Sequence, residues 1–317
     1  METDTNTKIR FVGHVGQYFI YLGKQFRMFI LQNDWRVLPM SAIIAAMVAM
    51  AVGGGLFVSM EGTFQATFAL TCVCIWNGFF NSIQAICKER AIVKREHRAG
   101  LHITSYVLAH MTYQLFLCAL QSIITIQVLG MFKVNYPEYA VEDLPFTPAM
   151  FITLFLITYT ADMMALMISA IVKTPMAAMT VMPFMLIIQL VFSGFIVLPE
   201  KLADISKLML SKWGVQGLCV ISGYNNLPAT MIWNKMNSAG DKISVGGGVT
   251  VKDIMTVIQD NNLRDTLLKK LGEANQRPDF ASTVDNLVQS WVNLIWFSIV
   301  FAIVTIVFLE YIDKDSR

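Results

Sequence analysis

Charge is scarce in this chain. Only 15% of the 317 residues are Asp, Glu, Lys or Arg, and the mean hydropathy is +0.55. Soluble domains carry roughly 25% charged residues. The deficit is gathered into six uncharged or nearly uncharged windows: Val37–Met60, Gly62–Cys87, Ala99–Phe132, Leu144–Val172, Thr174–Pro199 and Asn286–Leu309. Each reaches the roughly 20 apolar residues that cross a hydrocarbon core about 30 Å thick. An ordinary soluble globular fold is thereby excluded. A β-barrel is excluded as well, because barrel strands are short and alternate apolar with polar residues. These windows are continuous and rich in Leu, Ile, Met, Phe and Ala. The fold class read from them is an all-α membrane protein with six transmembrane helices.

Other absences bear on chemistry. The sequence has no Gly-x-x-x-x-Gly-Lys-Ser/Thr phosphate loop, no His-Glu-x-x-His and no Gly-x-Ser-x-Gly. Its four histidines, His14, His97, His102 and His110, do not form a metal set. Asp162 is the one acidic residue inside a window, whereas a two-aspartate intramembrane protease needs a second. No window carries the arginine series of a voltage sensor. No catalytic residue, metal site or cofactor of the chain's own is expected. The five cysteines lie mostly in or beside windows and read as packing residues rather than a disulfide framework. Cys219 alone is expected to face the outside, where an intersubunit disulfide is conceivable. The polar start Met-Glu-Thr-Asp-Thr-Asn-Thr-Lys lacks the apolar core of a cleavable leader, so the first crossing is expected to act as its own insertion signal.

What is present is sharply placed. Cys87-Lys-Glu-Arg-Ala-Ile-Val-Lys-Arg-Glu-His-Arg-Ala-Gly100 is a dense charge cluster between two uncharged windows. A charged residue at the centre of a bilayer helix costs on the order of 3 kcal/mol, so the cluster belongs at a membrane surface. With the N-terminus inside, thirteen basic residues fall in inside segments and Lys133 alone in the short outside loops; ten more lie in the long segment 200–285. The positive-inside rule then gives six crossings with both termini cytoplasmic. The absent leader and disulfides fit a plasma membrane of bacterial type.

The chain divides into a polar tail (1–10), an amphipathic helix (11–34), five crossings with the charged helix 88–100 between the second and third (35–199), an exoplasmic segment (200–285) and a last crossing with its tail (286–317). In the amphipathic helix, Phe11, Val15, Phe19, Leu22, Phe26 and Phe29 recur at spacings of three and four, with His14, Gln17, Lys24, Gln25 and Arg27 between them. This pattern predicts a helix lying along the inner membrane surface. Pro183 predicts a kink in the fifth crossing. Trp213–Asn234 is uncharged but broken by Gly, Asn and Pro, which predicts a re-entrant or interfacial piece sheltered by protein. Ser244-Val-Gly-Gly-Gly-Val-Thr250 predicts a turn between short strands, and 251–271 has helical periodicity. Together these predict a small exoplasmic α+β subdomain. Asp162 is read either as a site for a cationic group or a proton, or as a polar lock against a neighbouring helix; the lock is preferred.

Several residues carry a family resemblance. Glu89-Arg90 is followed by Arg95-Glu96, Gly100 and Tyr106; Met167-Ile-Ser-Ala170 closes the fourth crossing, and Phe192-Ser193-Gly194-Phe195 the fifth. Ser211-Lys-Trp-Gly-Val-Gln-Gly-Leu218 follows, and Asn33-Asp34 precedes the first crossing. In this order and spacing the chain resembles the permease part of ABCG-like half-transporters, among the type-two ABC exporters, over about residues 11–225 and the last crossing. The chain departs from that pattern in three respects: His102 stands where an aromatic is usual, the step to Tyr106 is a residue short, and Asp162 stands where a small residue is usual. No nucleotide-binding domain is present in the sequence.

The resemblance implies two copies, or a close homologue, about a two-fold axis with ABC ATPase domains below, ATP and Mg being bound there. It implies that Glu89, Arg90, Arg95 and Glu96 couple to the ATPase. It implies a path lined by Trp76, Asn77, Phe80 and Asn81 on the second crossing and Ile187 and Leu190 on the fifth, with Phe195 and Ile196 as an outer valve; core packing is the rival for each. An apolar, aromatic path suits an amphipathic, lipid-like, peptide or drug-like substrate. Membrane lipid is an expected partner and nucleic acid is not. Two other readings stay open at this level: a non-transporting receptor or scaffold with an exoplasmic ligand-binding subdomain, and a passive channel.

Overall fold

The computed structural model describes residues 13–31, 34–134, 136–194 and 204–311. It is mostly helical. The opening helix α1 is His14–Leu31, and α2 spans Val37–Val52. The next pair is α3, Met60–Ser82, running after a short bend into α4, Ala85–Arg98. They are followed by α5, Ile103–Met131, α6, Phe146–Ile171, and α7, Pro175–Val191. Five stretches are long and apolar enough to cross a membrane: Asp34–Gly55, Met60–Arg98, Ile103–Met131, Phe146–Ile171 and Val284–Glu310. The expected fifth crossing is represented by α7, a shorter apolar helix of 17 residues. Thr174 caps α7 by accepting from the Ala177 N–H, Pro175 opens it and Pro183 lies inside it.

Helix α6 is the centre of the bundle. It packs against α3, α5, α7 and the last helix α12, Val284–Glu310. Small residues let α3 approach it closely. A Cβ added to Gly78 would meet Asp162 N at 2.7 Å and Ala161 Cβ at 2.8 Å, so no side chain fits there without a shift of backbone. The α6–α12 contact is pinned by Thr160 Oγ1 against Ser298 Oγ at 2.9 Å, and by the Trp291 indole N–H donating to Thr153 Oγ1 at 2.9 Å.

The expected sheltered piece is helix α8, Leu210–Ile221, buried through nearly its whole length. Its 12 residues rise about 18 Å, too short to cross. Gly214 lets it lie against Thr71 and Ile157, and Gly217 against Thr153. Cys219 sits on this helix fully buried, its Sγ 3.3 Å from Thr67 Oγ1. That corrects the expectation of an outward-facing Cys219: a thiol packed between helices is not presented to a second copy.

Beyond α8 comes the small subdomain: α9, Thr230–Ala239, α10, Val251–Asp260, and α11, Arg264–Ala274, around Trp233, Met255 and Leu268. The expected glycine turn joins β3, Ser244–Gly246, to β4, Val249–Thr250, with positive φ at Gly246, Gly247 and Gly248. The loop before α6 forms a second hairpin of β1, Tyr139–Val141, and β2, Leu144–Pro145. The periodic stretch 251–271 is two helices rather than one. Asn262 takes φ 56°, the left-handed conformation that asparagine tolerates, and the helix ends before it.

Candidate functional site

The charge cluster folds as α4, which follows α3 after the two-residue bend at Ile83 and Gln84. Its first turn would leave N–H groups without partners. Ser169 Oγ, reaching over from α6, accepts from Ile86 N at 3.0 Å and from Cys87 N at 3.1 Å. Its last turn closes on Gly100, φ 99°, with Gly100 N donating to His97 O and Leu101 N to Glu96 O. These two hydrogen bonds form the glycine-dependent stop that lets the chain reverse into α5. Arg90 Nη1 donates to Ala170 O at 2.7 Å and Val172 O at 3.4 Å. A guanidinium there satisfies orphan carbonyls and meets the negative end of α6.

Helix α1 lies against α4 and α5, and it does so with its polar side. Gln17, Tyr18, Tyr21, Lys24 and Gln25 turn inward at helical spacing, whereas Val15, Phe19, Ile20, Ile30 and Leu31 are exposed. Lys24 Nζ meets Glu89 Oε1 at 2.8 Å, and the Tyr21 hydroxyl donates to Glu96 Oε2 at 2.7 Å. Tyr106 OH donates to the other oxygen of Glu89 at 3.3 Å. Gln17 donates to Gly100 O at 3.0 Å and accepts from His102 N at 2.8 Å, and His14 stacks on His102 at 3.4 Å. Burial, then the hydrogen bond to Glu96, pushes the Tyr21 hydroxyl above its ordinary pKa, so it stays a donor at neutral pH.

Two of the four coupling candidates, Glu89 and Glu96, therefore bind α1, and Arg90 binds the end of α6. Arg95 is exposed. It shares one face of α4 with Lys88, Ala91, Ile92 and Arg98, also exposed, at spacings of three and four. The arrangement is a helix whose inward side is acidic and satisfied, and whose outward side is basic around an exposed isoleucine.

The path candidates separate in the same way. Trp76 is exposed on an otherwise buried stretch of α3, with the half-buried Phe80 ring 5.1 Å away, and Ile187 is exposed on α7. Leu190 is half-buried. Asn77 is buried, and Asn81 exchanges two amide hydrogen bonds with Gln121, at 2.9 and 3.0 Å, locking α3 to α5. Phe195 and Ile196 lie outside the described residues. Asp162 is fully buried beside Ser82, and neither carboxyl oxygen has a hydrogen-bond partner among the described residues.

Sequence reasoning assigned no role at this site to Tyr21, Lys24 or Ser169. The signal for the first two was available, since Lys24 falls on the polar stripe of α1. The expectation of a helix along the membrane surface does not say which side that stripe packs on. Among the described residues no group of acidic, His and Cys side chains is suited to a metal ion.

The family profile of the ABC-2 type transporter membrane domain matches residues 17–222, well over half of the chain. No curated protein matches the sequence. The matched span takes in α1 from Gln17 on, and the whole of α3, α4, α5, α6, α7 and α8. The chain belongs to the ABC-2 type transporter family, as a multi-pass permease component. That family has no cofactor of its own, and its permeases usually pair with an ABC ATPase that hydrolyses the ATP.

Proposed function

We propose that this permease works as the membrane half of an ATP-driven exporter of amphipathic molecules, with both termini cytoplasmic and two copies facing each other. The observation that carries this reading is α4. A charged helix that forms the last 14 residues of the 39-residue stretch Met60–Arg98 is a lever: a push on α4 is passed to α3. Its outward face of Lys88, Ile92, Arg95 and Arg98 suits an acidic groove with an apolar floor on the ATPase. Glu89, Arg90 and Glu96 then serve coupling from inside, by making α1, α4 and the end of α6 move as one body.

The cargo path of this reading runs between the copies, along Trp76 and Phe80 of α3 and Ile187 and Leu190 of α7, with Phe195 and Ile196 closing it outside. Asn77, Asn81 and Asp162 are assigned to helix packing rather than to the path. Co-expression with ABC ATPases tests the whole reading. A stable complex should hydrolyse ATP faster in lipid than the ATPase alone and should extrude a fluorescent amphiphile from vesicles. A chain that captures no ATPase and binds ligand through its 204–285 subdomain would instead be a receptor.

A further inference from the structure

Away from the apolar stretches, a groove of about 500 Å³ opens between α11 and the segment 225–228. That volume lies in the range of small-molecule sites. Its two walls are tied to each other. Asn225 Nδ2 donates to Arg277 O at 2.9 Å, Asn225 Oδ1 accepts from Arg277 N at 3.1 Å, and Gln276 Nε2 donates to Asn225 O at 3.3 Å. Gly272 lies so close to the far wall that an added Cβ would stand 3.1 Å from Leu227 O. The groove is therefore shaped by the chain's own contacts.

One face of α11 presents Asp265, Lys269 and Glu273 to it, one turn apart and all exposed. Opposite charges at this spacing commonly pair along a helix. None of the three makes an ion pair among the described residues. Their charges alternate along the groove: minus, plus, minus. On the other wall Asn226 is exposed, and its side-chain amide has no hydrogen-bond partner among the described residues. Leu227 and Pro228 add half-buried apolar surface.

This pattern narrows the ligand. A lone anion meets two acids, and a lone cation leaves Lys269 unanswered. A zwitterion answers both signs. Neighbouring charges on α11 are four residues apart, a rise of about 6 Å. A single amino acid holds its ammonium and carboxylate within about 3.5 Å of extended chain, whereas a dipeptide spans about 7 Å. The dipeptide matches the helical turn. Its central peptide group carries one donor and one acceptor, and the Asn226 amide offers both kinds of partner.

We propose that this groove binds a short peptide in zwitterionic form, a dipeptide with an apolar side chain. Its carboxylate lies on Lys269, its ammonium on an acid one turn away, its peptide group on Asn226 and its side chain on Leu227 and Pro228. The groove residues belong to none of the five apolar stretches, so this binding does not rest on the permease reading.

The test titrates leucyl-leucine by calorimetry into the full chain in nanodiscs, with empty nanodiscs as the blank. Wild type should bind saturably, with Kd on the order of 0.1 mM for a ligand of this size. N-acetyl-leucyl-leucine and leucyl-leucine amide, each lacking one end charge, should bind about tenfold more weakly, the loss of one charge-assisted bond. Lys269→Glu should abolish binding. Lys270→Glu makes the same charge change at an exposed neighbour outside the groove and should leave binding intact. No saturable binding by wild type, or equal binding by Lys269→Glu, would overturn the proposal. Free leucine binding as tightly as leucyl-leucine would overturn the dipeptide. Dipeptide binding by a chain that stimulates no ATPase would sink the permease reading and spare the site; stimulation without dipeptide binding would do the reverse.

Discussion

Along the seam between α3 and α6, Gly78 lies so near Ala161 and the backbone of Asp162 that the two helices touch without intervening side chains. At the far end of the same helical rod, α4 meets α1 through an ion pair, a tyrosine–carboxylate bond and a glutamine clamp. The first contact is dry, close and non-directional, and any change in spacing loses dispersion contacts at once. The second is polar and directional, with Lys24 and Glu89 still partly exposed. Charge-assisted bonds of this kind hold one direction as well as one distance, so they suit a clamp that carries the motion of α4 to α1. The difference gives the α3–α6 seam close, non-directional packing and the α1–α4 contact a directional clamp that makes those two helices move together.

The sharpest way to break this contrast is Gly78→Leu. Overpacking the seam costs about 1–3 kcal/mol even where neighbours can adjust, and here a Cβ meets backbone. Loss of a monodisperse species on size-exclusion in detergent is expected; a well-behaved protein with unchanged thermal unfolding would mean that the seam is not tight. A second step removes the cap on α4. Ser169→Ala leaves two N–H groups without their acceptor and should destabilise by about 1–2 kcal/mol, with faster hydrogen exchange confined to the start of α4. Next comes the ion pair. In a double-mutant cycle of Lys24→Met and Glu89→Gln, coupling of about 1 kcal/mol is expected in unfolding, because both groups keep some water. ATP-driven transport should fall further than stability does, if the pair transmits motion. The smallest effect belongs to Tyr21→Phe. It removes one partly exposed hydrogen bond, worth about 0.5 kcal/mol, and should loosen α1 in hydrogen exchange without changing the exchange of α3 or α6.

Five long apolar helices were legible from the charge gaps, because bilayer length and charge exclusion act on the residues themselves, while the window 174–199 yields only the shorter α7. The glycine hairpin 244–250 and the sheltered helix around Trp213 were legible for similar local reasons. The inward acids of α4 were not. Glu89 and Glu96 show the same spacing whether they face an ATPase or α1, and only the reversal at Gly100 brings α1 and α4 side by side. The orientation of α1 was missed because an amphipathic period does not say which face is wet. In a membrane protein the apolar side can face lipid while the polar side packs on the body of the chain. The break at Asn262 was missed because apolar periodicity continues across it.

The central claim is that α4 holds its own chain with one face and an ATPase with the other. It is tested most directly by stimulated ATP hydrolysis in lipid, measured with the partner ATPase for Arg95→Glu, for Ile92→Asp, and for Lys207→Glu as an exposed control far from α4 in sequence. The account predicts that the two α4 variants fold normally yet lose the stimulation, and that the Lys207 variant keeps it. Full stimulation by Arg95→Glu together with Ile92→Asp would contradict it.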